Sequence, residues 1–185
     1  MGPGEILEKL KVLKRGHFLL TSGNHSGVYF EKYRILSYPE YLKKLLEFSF
    51  DFLNKIDFDV IIGPFTGGAL IAEILGLMLN KRTIFAEKKE EGFIIRRDFG
   101  VEYPVDAIIV DDVITTGGSV KKTLKACEGI ANVKGILVLV DRREKEEDFG
   151  YPFYSIYREK VKIYEPFNCP LCKQNIPLVK PGGKI

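Results

Sequence analysis

Apolar residues along this chain fall into two rhythms, one helical and one of short unbroken runs. The opening "MGPGEILEKLKVLKRG" sets Ile6, Leu7, Leu10 and Leu13 between charged residues, which predicts an amphipathic helix. Residues 38–56, "YPEYLKKLLEFSFDFLNKI", repeat that spacing at Leu42, Leu45, Leu46, Leu53 and Ile56, with Pro39 early, where a first helical turn tolerates it. Between them, "HFLLTSGNHSGVYFEKYRIL" predicts two strands, 17–20 and 28–35, around a Ser/Gly/Asn turn, forming a hairpin-like hood. From residue 59 the order is repetitive: strands at 59–63, 83–87, 107–111 and 134–142, with helices at 67–80 and 118–130. Unbroken β-branched runs belong to strands buried on both faces, and their alternation with helices predicts an α/β fold with a mostly parallel central sheet and flanking helices.

Two stretches break the rhythm. Residues 87–103, "EKKEEGFIIRRDFGVEY", are polar at both ends with an apolar patch at Phe93, Ile94 and Ile95, and predict a hairpin or mobile loop. Residues 165–185 are punctuated by prolines, end near two glycines, and predict an irregular surface tail.

The 185 residues suit one domain, with a hood segment at 1–37, a ligand-binding core at 58–142 and the tail at 165–185. Residues that are 45% hydrophobic and 29% charged describe an ordinary globular chain. The net charge of +3 comes from basic residues interspersed with Glu, so no continuous stripe points to nucleic acid, although a local basic cluster can hold a phosphorylated small molecule. The longest apolar stretch, "GGALIAEILGLMLN", is too short for a membrane span and contains Glu73. The amphipathic start is no signal peptide, and three cysteines make no disulfide framework, so the expected location is the cytoplasm.

The chemistry concentrates in "IIVDDVITTGGSV", residues 108–120. A buried strand ends in Asp111 and Asp112, passes through Thr115, Thr116, Gly117, Gly118 and Ser119, and becomes a helix. Glycines let backbone amides approach a phosphate, hydroxyls add donors, and the helix start adds free N–H groups. Two carboxylates would repel a bare phosphate, so they face sugar hydroxyls or a hydrated Mg2+, and the expected ligand is a sugar phosphate. The loop holds no Lys, which excludes a Walker A reading, and no GxGxxG follows a strand. A phosphorylated-aspartate enzyme is a weaker competitor, and a plain strand cap followed by a tight turn is the bland one.

This segment resembles the phosphoribosyl diphosphate (PRPP) motif of the type I phosphoribosyltransferases. "GHFLLTSGNHSGVYFEKYR", "GPFTGGALIAE", "VDRRE" and "CPLCKQNIPLVKPGGK" resemble the orotate phosphoribosyltransferases, so the likeness runs along nearly the whole chain. It implies the type I phosphoribosyltransferase fold with a small N-terminal hood, and an Mg2+-dependent transfer of ribose 5-phosphate from PRPP to orotate in pyrimidine biosynthesis. It also implies a homodimer with shared active sites. By motif, Asp111 and Asp112 meet the ribose hydroxyls, the stretch from Val113 and Ile114 through Thr115, Thr116, Gly117, Gly118 and Ser119 binds PRPP, and Asp112 and Lys88 are catalytic. "GPFTGG" matches the diphosphate loop, Lys88 and Lys89 face the diphosphate, and Arg96 and Arg97 are further loop cations. Thr115, Arg142, Tyr29 and Phe30 border orotate, with the Arg142 guanidinium fork suited to a planar anion. For Arg142 the residues alone suggest a solvated strand end, and for Tyr29 and Phe30 core packing.

Two positions depart from the enteric branch, which carries Lys where this chain has Thr21 and Gly67. A transferase for another base, or a PRPP-sensing regulator without turnover, are the competing functions. Cys169 and Cys172 form a single CxxC, short of a zinc site unless His17, His25 or a second subunit adds ligands, and are expected as a structural pair. Cys127 is expected in the core, and His25 as a turn histidine with local hydrogen bonds.

Overall fold

The computed structural model describes residues 1–181 other than Thr21, Glu91 and Arg97; the loop cation Arg97, the departure at Thr21 and tail residues 182–185 lie outside the described residues. The chain opens with α1 (Pro3–Lys9), β1 (Leu13–Leu19) and β2 (His25–Phe30), followed by α2 (Lys32–Leu36), α3 (Pro39–Glu47) and α4 (Phe50–Leu53). The core runs β3 (Val60–Pro64), α5 (Gly67–Leu79), β4 (Arg82–Lys89), β5 (Gly92–Ile94), β6 (Val105–Ile114), α6 (Gly118–Ala126), β7 (Ala131–Asp141) and β8 (Phe153–Arg158). It closes with β9 (Ile163–Tyr164), a 3-10 turn at Pro166–Asn168 and the short α7 (Pro170–Lys173).

Six strands form the central sheet in the order β5-β4-β3-β6-β7-β8. Every pairing from β4 to β8 is parallel, and only β5 turns back antiparallel on β4. The period-two alternation of strand side chains explains the unbroken apolar runs. Ile61, Ile108, Val110, Leu137 and Leu139 point to one face, with α3 and α5. Val60, Ile62, Ala107, Ile109, Ile136 and Val138 point to the other, with Val120 and Cys127 of the α6 region. Both faces are covered, so no polar position interrupts the pattern.

The hood is a separate antiparallel sheet, β1-β2-β9. Here local expectation and tertiary structure part. The strand expected to continue to residue 35 stops at Phe30, where its β1 partner runs out at Leu13, and Glu31 N–H donates to the Val12 carbonyl instead. The next residues coil into α2, which buries Ile35. The long helix expected over 38–56 breaks between α3 and α4. Buried Ser49 donates its hydroxyl to the Leu46 carbonyl at 2.6 Å, a local bond that competes with the helical ladder.

The 87–103 stretch does form a hairpin, β4 extending to pair Glu87–Lys89 with β5. Just ahead of the tail, Tyr164 and Ile163 pair with His25 and Ser26, and within it Val179 bridges in parallel to Phe18, so the largely irregular and exposed tail is tied to the hood there. Edge strand β8, only half-buried, has no counterpart in the pattern of the sequence. Among the described residues no helix is long and apolar enough to cross a membrane.

Leu46 and Leu77 sit on neighbouring helices in opposite environments, 0% and 83% exposed. Leu46→Ala is expected to lower unfolding free energy by about 2–5 kcal/mol in urea titrations, against about 0.5 kcal/mol or less for Leu77→Ala.

Candidate active site

Central strand β6 carries the two carboxylates between β3 and β7, and the chain then turns into α6. Asp111 and Asp112 are both buried, at 6% and 5% exposure, although each carries a charge that water would stabilise. Local amides take up part of that demand. Asp111 Oδ1 accepts from the Asp112 N–H at 2.8 Å, and Asp112 Oδ1 from the Val113 N–H at 2.6 Å. The Ser119 hydroxyl also bonds to Asp111. Burial, reinforced by the neighbouring Asp112 charge, still pushes the Asp111 carboxyl up to about 6.

Asp112 has a stronger partner: Lys32 Nζ, on α2, lies 2.8 Å from its Oδ2. Burial acts to lower the Lys32 pKa, but the hydrogen bond and charge of Asp112 outweigh it, so the ammonium is held above its ordinary value. Lys32 is the site residue that sequence reasoning missed. It lies inside "GVYFEKYR", one of the family-like stretches, but as part of a presumed strand it gave no sign of facing Asp112.

Two glycines shape the surroundings. A Cβ at Gly67, the first residue of α5, would meet Asp112 Oδ2 at 1.8 Å, so the departure from Lys at this position removes a clash as well as a charge. Gly117 adopts φ +79°, and a Cβ there would press on the Phe149 ring at 3.0 Å. With that left-handed turn the chain leaves Thr115 and Thr116 exposed ahead of the α6 N-terminus, with Gly118 and Ser119 half-buried. A cleft of about 450 Å³ opens beside Thr115 and Thr116, bordered by Arg143, Lys145 and Ile163.

The two arginines of "VDRRE" go opposite ways. Arg143 is locked onto Asp141 by Nε at 3.0 Å and Nη2 at 2.9 Å, with its guanidinium over the Phe153 ring. Burial acts to raise the Asp141 pKa, but the hydrogen bonds and charge of Arg143 hold it below the ordinary value. Arg142, expected from the residues alone as solvated, is buried. Its backbone N–H donates to the Ile114 carbonyl at 2.9 Å, fixing it against the Asp-Asp loop. Its Nη2 donates to Val28 of the hood at 3.1 Å, and its guanidinium lies 4.8 Å from the Phe30 ring centroid. Its Nε is buried and lacks an acceptor among the described residues. Phe30 itself packs into the core, while Tyr29 is half-buried against Phe18.

Among the described residues, the cation paired with these carboxylates is Lys32 rather than one of the loop cations. Lys88 and Lys89 are exposed on the β4–β5 hairpin, Arg96 is paired with Glu87 at 2.8 Å, and Lys89 lines a separate cleft with Lys122 and Lys125.

The site has the make-up of a sugar-phosphate pocket: buried hydroxyl acceptors, an anion loop and a positioned guanidinium. Two carboxylates, one already ion-paired, are too few to cage Mg2+ unaided, and fit an ion held mainly by a ligand's own oxygens.

No family model matches the chain. It is 40% identical over 181 residues to the orotate phosphoribosyltransferase of Caldanaerobacter subterraneus subsp. tengcongensis, covering 97% of this chain and 95% of that protein. The solved orotate phosphoribosyltransferase from Aeropyrum pernix superposes with a TM-score of 0.68 at 26% identity, over 83% of this chain and 92% of that one. The adenine phosphoribosyltransferase from Thermoanaerobacter pseudethanolicus gives 0.65 at 21%, over 83% and 99%, a likeness of fold alone.

The raised Asp111 pKa carries a signed prediction. With the carboxyl near 6 in the folded chain and 3.8 ordinarily, the native state binds more protons between those values, so this group's contribution to stability falls as pH rises from about 4 to 6 and stays unfavourable above. Asp111→Asn is expected to stabilise the protein by roughly 3 kcal/mol at pH 8 and to confer little at pH 4, measured by urea unfolding at both. An equal gain at the two pH values would exclude a charge-burial penalty.

Proposed function

The chain belongs to the orotate phosphoribosyltransferases, and from that membership we propose that it joins orotate to the ribose 5-phosphate of PRPP, releasing diphosphate, in the route to UMP. The observation that carries this reading is the register of Arg142 on Ile114, which ties its backbone to the strand that carries Asp111 and Asp112 while its buried guanidinium lies under the hood.

In this reading the exposed Thr115 and Thr116, with the amides and hydroxyl from Gly117 to Ser119, hold the 5-phosphate at the α6 N-terminus, where free N–H groups favour an anion. Asp111 and Asp112 accept hydrogen bonds from the ribose hydroxyls, and Lys32, ion-paired with Asp112, offsets the approach of an anionic ligand. Arg142 already has one donor committed to Val28 and its face to Phe30, so it is oriented before substrate arrives. An orotate carboxylate or ring oxygen supplies acceptors for the donors left over.

Displacement at the anomeric carbon breaks the bond to diphosphate as a ring nitrogen of the base bonds to that carbon. Stabilising the departing diphosphate is then the main electrostatic task. Mg2+, carried in with PRPP, supplies charge neutralisation there. Lys88, Lys89 and Arg96 add cations from the hairpin, which in a homodimer serves the partner's site. No protein nucleophile is required, and buried Cys127, its thiol pushed up to about 12 by desolvation, is unsuited to be one. The three unbridged cysteines are in keeping with a cytoplasmic enzyme.

Diphosphate release from PRPP and Mg2+, assayed with orotate, uracil, adenine and hypoxanthine in parallel, is expected with orotate alone. Asp112→Asn should lower kcat/KM, and Arg142→Ala should raise the orotate KM about 10- to 100-fold, the value of charge-assisted hydrogen bonds. Turnover with another base would keep the fold and sink the substrate, whereas PRPP binding without turnover would identify a sensor.

Shared sites predict complementation. Mixing inactive Lys88→Ala with inactive Asp112→Asn subunits should restore activity, to about a quarter of wild type on random exchange into dimers. No recovery after demonstrated subunit exchange would confine each site to one chain.

A further inference from the structure

Away from the candidate active site, His17, His25, Cys169 and Cys172 bring one ligand atom each within 4.8 Å of one another. His17 lies on β1 and His25 on β2 of one hairpin, while Cys169 precedes α7 and Cys172 lies within it, so two segments far apart in sequence converge. The expected turn histidine and isolated CxxC pair are therefore one cluster.

His17 Nε2 is 3.0 Å from His25 Nδ1, 3.5 Å from Cys169 Sγ and 3.7 Å from Cys172 Sγ, and Cys172 Sγ is 3.3 Å from His25 Nδ1. A tetrahedral zinc ion with ordinary Zn–N and Zn–S bonds separates its ligands by roughly 3.3 Å for two nitrogens and 3.5 Å for nitrogen and sulfur. The observed spacings are those of such a shell.

The orientation of His17 points the same way. His17 Nδ1 lies 2.8 Å from the Ile176 carbonyl, which can only accept, so Nδ1 donates there and Nε2 is the ring nitrogen turned to the cluster. That carbonyl plays the outer partner that orients a metal-bound imidazole. His17, His25 and Cys169 are buried, and no disulfide joins the cysteines.

We infer that these four residues form a structural Cys2His2 zinc site that clasps the tail to the hood. Binding requires both thiols to lose their protons, giving two thiolates and two neutral imidazoles around Zn2+, a neutral shell suited to burial. Four protein ligands leave no open position, which marks the site as structural. The clasp bears on the hood hairpin that contacts Arg142.

Untagged protein, purified without chelator, should contain one zinc per chain by mass spectrometry of metals, and Cys169→Ala/Cys172→Ala should contain none. Should that variant fail to fold, wild-type protein stripped of metal and titrated with Co2+ should develop the intense visible bands and thiolate charge transfer of a tetrahedral sulfur–nitrogen site. The stripped form should melt on the order of 10 °C lower and recover with Zn2+. Absence of stoichiometric metal together with a featureless Co2+ titration would overturn the proposal, as would a Cys169–Cys172 disulfide in freshly purified protein.

Discussion

Two adjacent carboxylates buried at the end of the central strand set the terms for everything around them. A strand between β3 and β7 cannot offer water to Asp111 and Asp112, so charge must be satisfied by what the fold brings near. Amides of the following residues serve one oxygen of each, and Lys32 serves Asp112 from an element outside the sheet. Gly67 is the counterpart constraint, because α5 starts so close that a side chain there would displace the same carboxylate. The α2 helix, the start of α5 and the end of β6 thus meet at one ion pair.

The neighbouring strand separates two roles that look alike in sequence. Arg142 and Arg143 are consecutive, yet only Arg143 is saturated by Asp141 and two aromatic rings. Arg142 is held by its backbone and one donor, and keeps the rest of its fork for another acceptor. Breaking a saturated buried pair strains the fold, while a partly committed guanidinium can serve a ligand.

A three-stranded hood with a two-residue third strand has little core of its own. It is steadied by the Val179 bridge, by Arg142 at Val28 and, in our inference, by metal between His17, His25 and the CxxC turn. Each tie joins segments more than a hundred residues apart, so the placement of the hood depends on residues far along the chain packing onto it.

The central sheet was legible because its strands are apolar on both faces and its helices are periodic, signals that reside in neighbouring residues. The Asp-Asp-Val-Ile-Thr-Thr-Gly-Gly-Ser segment was legible for the same reason: its chemistry lies within nine consecutive residues. What tertiary structure alone decided are the meetings between distant segments. Lys32 reached Asp112 because β2 ran out of partner and α2 coiled, and the serine that split α3 from α4 acted through a bond that no periodicity reports. Edge strand β8 and the tail's bridge to the hood were equally hidden, and the sequence named His17 and His25 as ligands the CxxC pair would need without placing them there, because β-pairing and ligand convergence depend on which strands lie side by side. Local sequence determined the central sheet, its helices and the glycine-rich turn into α6; packing across the chain decided where the hood elements ended and which charges, arginines and soft ligands were left facing one another.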